Sequence, residues 1–208
     1  MDRTVSAIIT HVLLERDDPA FREPTKPIGP YYSDDRAKQY IEQGWQMRNI
    51  PGRGWRRLVP SPRPKTIIEI ESIKAVFERG FVPIASGGGG IPVIEENRTL
   101  RGVDAVIDKD LSASLLAREL SLEMFIILTD VDGVYLNGEN THKKRLEKLS
   151  TMEAKAYLFE GQFPPGSMGP KIEAALEFIA SGGKEVIIAK PEDLSSAIEG
   201  KAGTRIIA

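Results

Sequence analysis

The sequence predicts an α/β protein, and three observations carry that prediction. After Pro64 the chain alternates amphipathic helical stretches with short apolar runs, residues 105–107 run straight into a helical pattern, and the apolar segment 124–128 ends in a polar loop. A chain of 208 residues with 41% hydrophobic and 28% charged residues has the composition of a globular protein of one large domain, or one and a half. A net charge of −2 removes any global electrostatic case for a nucleic acid or an anionic membrane as partner. Cysteine is absent, which excludes thiol catalysis, disulfides and thiolate metal sites, and His11 and His142 are too few and too far apart for a histidine metal cluster. No apolar run approaches the ~20 residues of a membrane span, and Met1-Asp2-Arg3 does not open a signal peptide, so a cytoplasmic location is expected.

Residues 5–14, rich in β-branched and apolar side chains, read as one strand buried on at least one face, with His11 as a structural histidine. From 17 to 65 the prolines at 19, 24, 27, 30, 51, 60, 62 and 64 forbid long helices and central strands, so a flap of short elements is expected, with a short helix within 31–43. Its second half is basic (Arg48, Arg53, Arg56, Arg57, Arg63, Lys65) around Trp55. Such a mixture suits a single-stranded nucleic acid, or a flap that packs Trp45 and Trp55 on itself and turns its arginines outward. Lys26, between Pro24 and Pro30, is either part of a stiff surface turn or a lysine held for a substrate.

Ile67, Ile70, Ile73, Val76 and Phe77 make one helical face ending at Gly80. A short strand at 81–85 then leads through Ser86 into Gly87, Gly88, Gly89 and Gly90, with apolar runs at both ends. That context favours a backbone pressed against a ligand over a free linker, although neither a dinucleotide fingerprint nor a P-loop is present. At 108–110 the acid-base-acid triplet Asp108-Lys109-Asp110 opens a helix running to about 120, with Asp110 read as its N-cap. It is either a capped start with a solvated lysine or an anion site. The loop 129–135 leaves the carboxyl end of the next strand, where α/β sheets bind ligands; Asp130 and Asp132 there read as local caps more readily than as metal ligands. A capping box at 150–153 starts a helix to about 161, and Pro170 is placed at the first position of a helix to 181. Lys171 in that first turn opposes the helix dipole unless an anion shares the site. A strand at 186–189, a short helix at 194–198 and a strand at 205–207 complete the chain.

Five segments resemble carbamate kinase, in that family's order: Pro-Thr-Lys-Pro-Ile-Gly-Pro (24–30), Gly-Gly-Gly-Gly-Ile-Pro-Val (87–93), Val-Ile-Asp-Lys-Asp-Leu-Ser-Ala (106–113), Leu-Thr-Asp-Val-Asp-Gly-Val-Tyr (128–135) and Gly-Ser-Met-Gly-Pro-Lys (166–171). The resemblance implies the three-layer αβα sandwich of the amino acid kinase superfamily, with a mainly parallel central sheet and a small protruding lid. It divides the chain into a core strand (1–16), a lid (17–65) and a nucleotide-binding core (66–208). It also implies a homodimer that transfers a phosphoryl group between ATP and carbamate, formed from ammonia and bicarbonate, with Mg2+ held mainly by the phosphates.

By the same resemblance Lys109 and Lys171 contact phosphate, Lys26 is the lid lysine, and Asp110 orients the lysines. Gly87, Gly88, Gly89, Gly90, Asp108, Thr129, Asp130, Val131, Tyr135, Gly166, Ser167 and Met168 would form the nucleotide and phosphate pocket. The family's Gly-Gly-Asn-Ala and His-Gly-Asn-Gly-Pro segments are not among these residues. The expectation is therefore the C-terminal part of such an enzyme, with weak ADP or ATP binding, an incomplete carbamate half, little or no turnover by the chain alone and an exposed sheet edge. Another amino acid kinase acting on a carboxylate or phosphonate, and a non-catalytic nucleotide-binding module, are the alternatives.

Overall fold

The structure, a computed structural model, describes residues 3–136, 144–164 and 166–208; His142 lies outside them. The first apolar run makes two strands rather than one, β1 (Val5–Ala7) and β2 (His11–Leu14). Between them Thr10 donates its hydroxyl to the Ile8 carbonyl at 2.9 Å, a local bond that takes the place of ladder pairing. His11 is structural, its amide and ring both held at 2.7 Å by Glu69.

The proline-rich stretch folds into β3 (Lys26–Tyr32), α1 (Asp34–Glu42), β4 (Met47–Ile50) and β5 (Gly54–Val59), with its own antiparallel sheet in the order β3-β5-β4. Pro27 and Pro30 sit in β3 itself. This is possible because β3 is an edge strand whose register breaks between Ile28 and Tyr32, so the missing N–H groups interrupt little of the ladder. The lid aromatics pack on one another: Tyr40 stacks on Trp45 at 4.3 Å, Arg57 lies 4.2 Å over the Trp45 ring, and Trp55 donates to Asp34 at 2.7 Å. The rings therefore serve the lid's own small core.

Ile67, expected to open a helix, instead ends β6 (Pro64–Ile67), where it pairs with Val12 and is fully buried; α2 (Ile70–Glu78) begins three residues later. One apolar residue three before a helix fits either period, and pairing to β2 decides it. β7 (Val82–Ile84), β8 (Ile91–Glu96) and β9 (Thr99–Gly102) follow, the last two joined through Asn97 and Arg98, both at positive φ, as a two-residue hairpin turn requires. Next come α3 (Lys109–Glu119), β10 (Met124–Leu128), β11 (Val134–Leu136), β12 (Lys144–Leu146), β13 (Lys148–Ser150) and α4 (Thr151–Phe159), the last with the expected capping box at Ser150 and Glu153. The chain closes with α5 (Met168–Ala180), β14 (Glu185–Ala189), α6 (Leu194–Ile198) and β15 (Thr204–Ile207). Pro170 is the third helical residue of α5, not the first, still within the turn whose amides need no intrahelical partner.

The sheets are mixed. β1–β7, β2–β8, β10–β14 and β13–β15 pair in parallel, while β2–β6, β8–β9 and β14–β15 are antiparallel. Side-chain alternation along β14 defines the layers: Val186 and Ile188 pack in a core with α3, α4 and α5, and Ile187 and Ala189 pack with Ala197 of α6 on the other face. The result is the αβα sandwich the sequence predicts. Helix α3 joins two cores, with Leu111 and Ala117 in that of α5 and Leu115 in that of β2, β6 and α2. Held from both sides, it fixes the position of its own first turn. The β1–β7 pair is less covered, with Val5, Val82 and Ile84 exposed.

Candidate active site

Asp108, not Asp110, caps α3. Its Oδ1 accepts the amides of Asp110 at 2.9 Å and Leu111 at 3.4 Å, and its backbone is extended at φ −66°, ψ 124°. Ile107 just before it is buried, and the extended backbone of Asp108 makes Lys109 the first helical residue. Asp110 is thereby free for another task inside the first turn. Its Oδ2 accepts from Lys171 at 2.8 Å and its Oδ1 from Lys109 at 3.2 Å, while Oδ2 of Asp108 accepts a short hydrogen bond from Lys26. Three lysines from the lid, α3 and α5 thus converge on two carboxylates and leave one net positive charge. The burial is graded, with side-chain exposures of 57% for Lys109, 27% for Lys26 and 11% for Lys171. Lys109 is accordingly the lysine with most freedom to reach a ligand. Helix α5 adds to the positive field, because its first turn has no acidic residue and Ser167 gives no side-chain cap.

The glycine loop meets the chain at Ile107, just before this cluster. Ser86, Gly87, Gly89 and Gly90 all have positive φ, and the loop is pinned where the Ser86 amide donates to Thr10 Oγ1 at 2.9 Å. A Cβ at Gly89 would stand 2.4 Å from the Ile107 carbonyl oxygen, one residue before Asp108. Glycine is required there by close approach as well as by φ. Gly87, Gly88 and Gly90 line a cavity of about 470 Å³ with Ser86, and Gly89 forms the contact behind it.

Two other cavities divide the remaining expected residues. Asp130, Val131, Tyr135, Ser167 and Met168 line one of about 410 Å³, at the carboxyl ends of β10 and β14. Gly166 lies instead in a cleft of about 440 Å³ between lid and α5, with Lys26 and Asp108. Thr129 lines neither; its amide bonds to the Ala189 carbonyl and its hydroxyl to Asp130, so it shapes the loop. Lys190 and Pro164 on the first cavity are absent from the sequence-derived set; Asp132, read from the sequence as a local cap, accepts from the Tyr135 hydroxyl at 3.0 Å. Lys190 carried a usable signal, since it follows a strand at the sheet's ligand end. Arg145 carried none: from β12, paired beside Tyr135, it donates to the carbonyl of Asp132 and to that of Gly203, 58 residues away. Among the described residues no group of three or more His, Asp or Glu side chains could hold a metal ion, and no helix is long and apolar enough to cross a membrane.

Asp108 in the cluster and Glu69 at the start of α2 are both held below their ordinary pKa. Burial opposes ionisation of Asp108, but the Lys26 ammonium and the amides of Asp110 and Leu111 outweigh it. Burial likewise opposes ionisation of Glu69, and the amide and ring of His11 outweigh it. A carboxylate with a depressed folded pKa stabilises the fold above its unfolded value, here 3.8 and 4.5, and loses that contribution as pH falls through the folded value. The urea midpoint is therefore expected to hold from pH 7 to about 5 and to fall below about pH 4. Asp108→Asn and Glu69→Gln should each flatten the fall; unchanged acid limbs in both would show that neither pair matters. Around Asp108 the groups that shape this response are Lys26, Lys109, Asp110 and Lys171, with Arg48, Arg63 and Glu173 lining the adjoining cleft.

An αβα core that gathers lysines and buried carboxylates at its ligand end is the architecture of a phosphate-handling kinase. The family model described as the amino acid kinase family matches residues 19–190, and the chain belongs to that family. Within it the similarity is to carbamate kinases. The chain is 47% identical over all 208 residues to the carbamate kinase of Thermococcus kodakarensis, of which it covers 66%, and 46% identical to that of Thermoplasma volcanium, of which it covers 68%. Carbamate kinase from Giardia lamblia bound to AMP-PNP superposes with a TM-score of 0.86 at 42% identity, over 99% of this chain and 66% of that one. The chain thus spans about two thirds of the length of these relatives.

Proposed function

We propose that this chain supplies the nucleotide half of a carbamate kinase, catalysing ATP plus carbamate to ADP plus carbamoyl phosphate and the reverse, as a cytoplasmic homodimer. The convergence of Lys26, Lys109 and Lys171 on Asp108 and Asp110 carries the reading. Phosphoryl transfer needs alignment and positive charge on the transferring oxygens more than covalent help. Lys171, locked on Asp110, presents a fixed charge; Lys109, more exposed, closes on the oxygens; Lys26 is brought by the lid. The base and ribose would occupy the cavity of Asp130, Val131, Tyr135, Ser167 and Met168, with Lys190 at its edge, and Gly87–Gly90 would lie beside the reacting groups. Mg2+ would arrive on the nucleotide and neutralise phosphate charge. Both oxygens of Asp108 and both of Asp110 are already engaged, so the cluster suits a metal held by phosphate rather than by protein.

The test is direct. Titration with ADP should show weak binding, and turnover, read as ADP from ammonium bicarbonate with MgATP or as ATP from carbamoyl phosphate with MgADP, should be slow in a chain that spans about two thirds of the length of its relatives; fast turnover would overturn that expectation. Preferred turnover of an amino-acid carboxylate or a phosphonate would replace carbamate as the substrate, and binding with no turnover on any acceptor would leave a nucleotide-binding module.

A further inference from the structure

We propose that Asp108 is a positioning residue for Lys26, a clasp that holds the lid lysine over the start of α3 before any nucleotide arrives. The assignment goes beyond the capping role. One oxygen of Asp108 is tied to two amides of the first turn of α3, so the carboxylate cannot swing away, and the other oxygen faces the lid and takes the Lys26 ammonium. The Asp108 side chain is only 10% exposed, which keeps the pair from being screened as a surface ion pair would be. Lys26 is the first residue of β3, an edge strand of the three-stranded lid sheet β3-β5-β4.

Elsewhere the lid is joined to the core at its root. The Arg63 amide donates to Asp18 at 3.0 Å and ties the two ends of the lid together, while the Arg63 guanidinium reaches Glu173 and Glu177 of α5 and the Val106 amide donates to the Pro60 carbonyl at 2.9 Å. The root fixes where the lid pivots, and Asp108 fixes where its working end rests. An ammonium has three donors. With one on Asp108, two remain for the cleft that Lys26 shares with Gly166 and Pro170 at the start of α5. One carboxylate therefore registers the lid lysine against the helix that bears Lys109 and Asp110.

What Lys26 then does rests on the phosphotransferase reading; the clasp itself does not. Asp108→Asn is the informative variant, because asparagine still caps a helix but carries no charge. Hydrogen exchange on the nucleotide-free chain should show the amides of Lys26, Ile28, Gly29, Tyr31, Tyr32 and Val106 exchanging about tenfold faster in Asp108→Asn and in Lys26→Met, with no further gain in the double variant. Amides within α3 should keep their rates, which separates an opened lid from a damaged helix. In phosphoryl transfer, kcat should fall about tenfold with KM for ATP nearly unchanged, and again the double variant should match Lys26→Met alone. Unchanged lid exchange in both single variants, or additive effects in the double, would overturn the clasp. Failure of the unaltered chain to transfer phosphoryl groups would instead strike the functional reading, and the exchange measurement would still decide the clasp.

Discussion

Replacing Lys171 by methionine is expected to lower stability by about 3 kcal/mol, the cost of breaking a buried ion pair from one side. Lys171 and Asp110 are 8% and 7% exposed and meet at 2.8 Å. Methionine fills nearly the same volume, so little of the loss would come from a cavity. It would come from Asp110, left buried with only the longer contact to Lys109. Adding Asp110→Asn should therefore recover part of the stability, although it removes a second charged group. Urea unfolding of the two variants checks this, and an unchanged midpoint for Lys171→Met would mean that the buried pair contributes nothing. If the proposed chemistry holds, kcat should also fall by about 10²–10³, the scale for loss of a preorganised charge at a transferring group. The Asp110→Asn addition should not restore it. Stability would then recover with the second substitution while turnover would not, a split that a purely structural lysine cannot produce.

Gly89→Ala should destabilise the glycine loop by about 3 kcal/mol, from combined overpacking and an unfavourable φ, and Gly90, whose Cβ would meet buried Val12 at 2.5 Å at φ +89°, should tolerate alanine no better. At Gly89 the added Cβ would lie 2.4 Å from a backbone oxygen, and φ is +135°. Backbone must move to relieve the contact. The displaced residue is Ile107, so Asp108 would move with it and the whole lysine cluster would lose register. Neighbouring glycines supply the controls. Gly88 has open space and no left-handed φ, and its alanine variant should stay within about 0.5 kcal/mol of the parent. Gly87 has open space at φ +43°, so only the backbone cost of about 1 kcal/mol applies. Chemical denaturation of the three variants should rank them 88, 87, 89; equal effects would mean that the close approach to Ile107 is not structurally important.

Much of this molecule is legible where a local signal and the global fold agree. The capping box at Ser150, the strand Met124–Leu128 and the helix α5 with its conflicting lysine all follow from residues close in sequence. Misreadings occur where two local solutions are nearly equal and a distant partner chooses between them. Asp108 and Asp110 stand two apart and either could cap; the buried Ile107 on one side and Lys171 on the other separate their tasks. Ile67 fits a helical face until β2 pairs with it. Two prolines argue against a strand, yet β3 accepts them because nothing pairs along its outer edge. The convergence of Lys26 with Lys171 could not come from spacing at all, since 145 residues separate them. It entered through resemblance to a family, and Arg145, outside the motifs that carry the resemblance, was missed.

The aromatic packing of the lid has an optical consequence. Both tryptophans of the chain, Trp45 and Trp55, belong to the lid and neither to the sandwich beneath it. Excited at the red edge of indole absorption, the protein emits from that one subdomain, with Arg57 and Tyr40 against one fluorophore and Asp34 bonded to the other. Emission wavelength and quencher access are thus native gauges of the lid's internal order, readable without a label, while the β-sheet core stays dark.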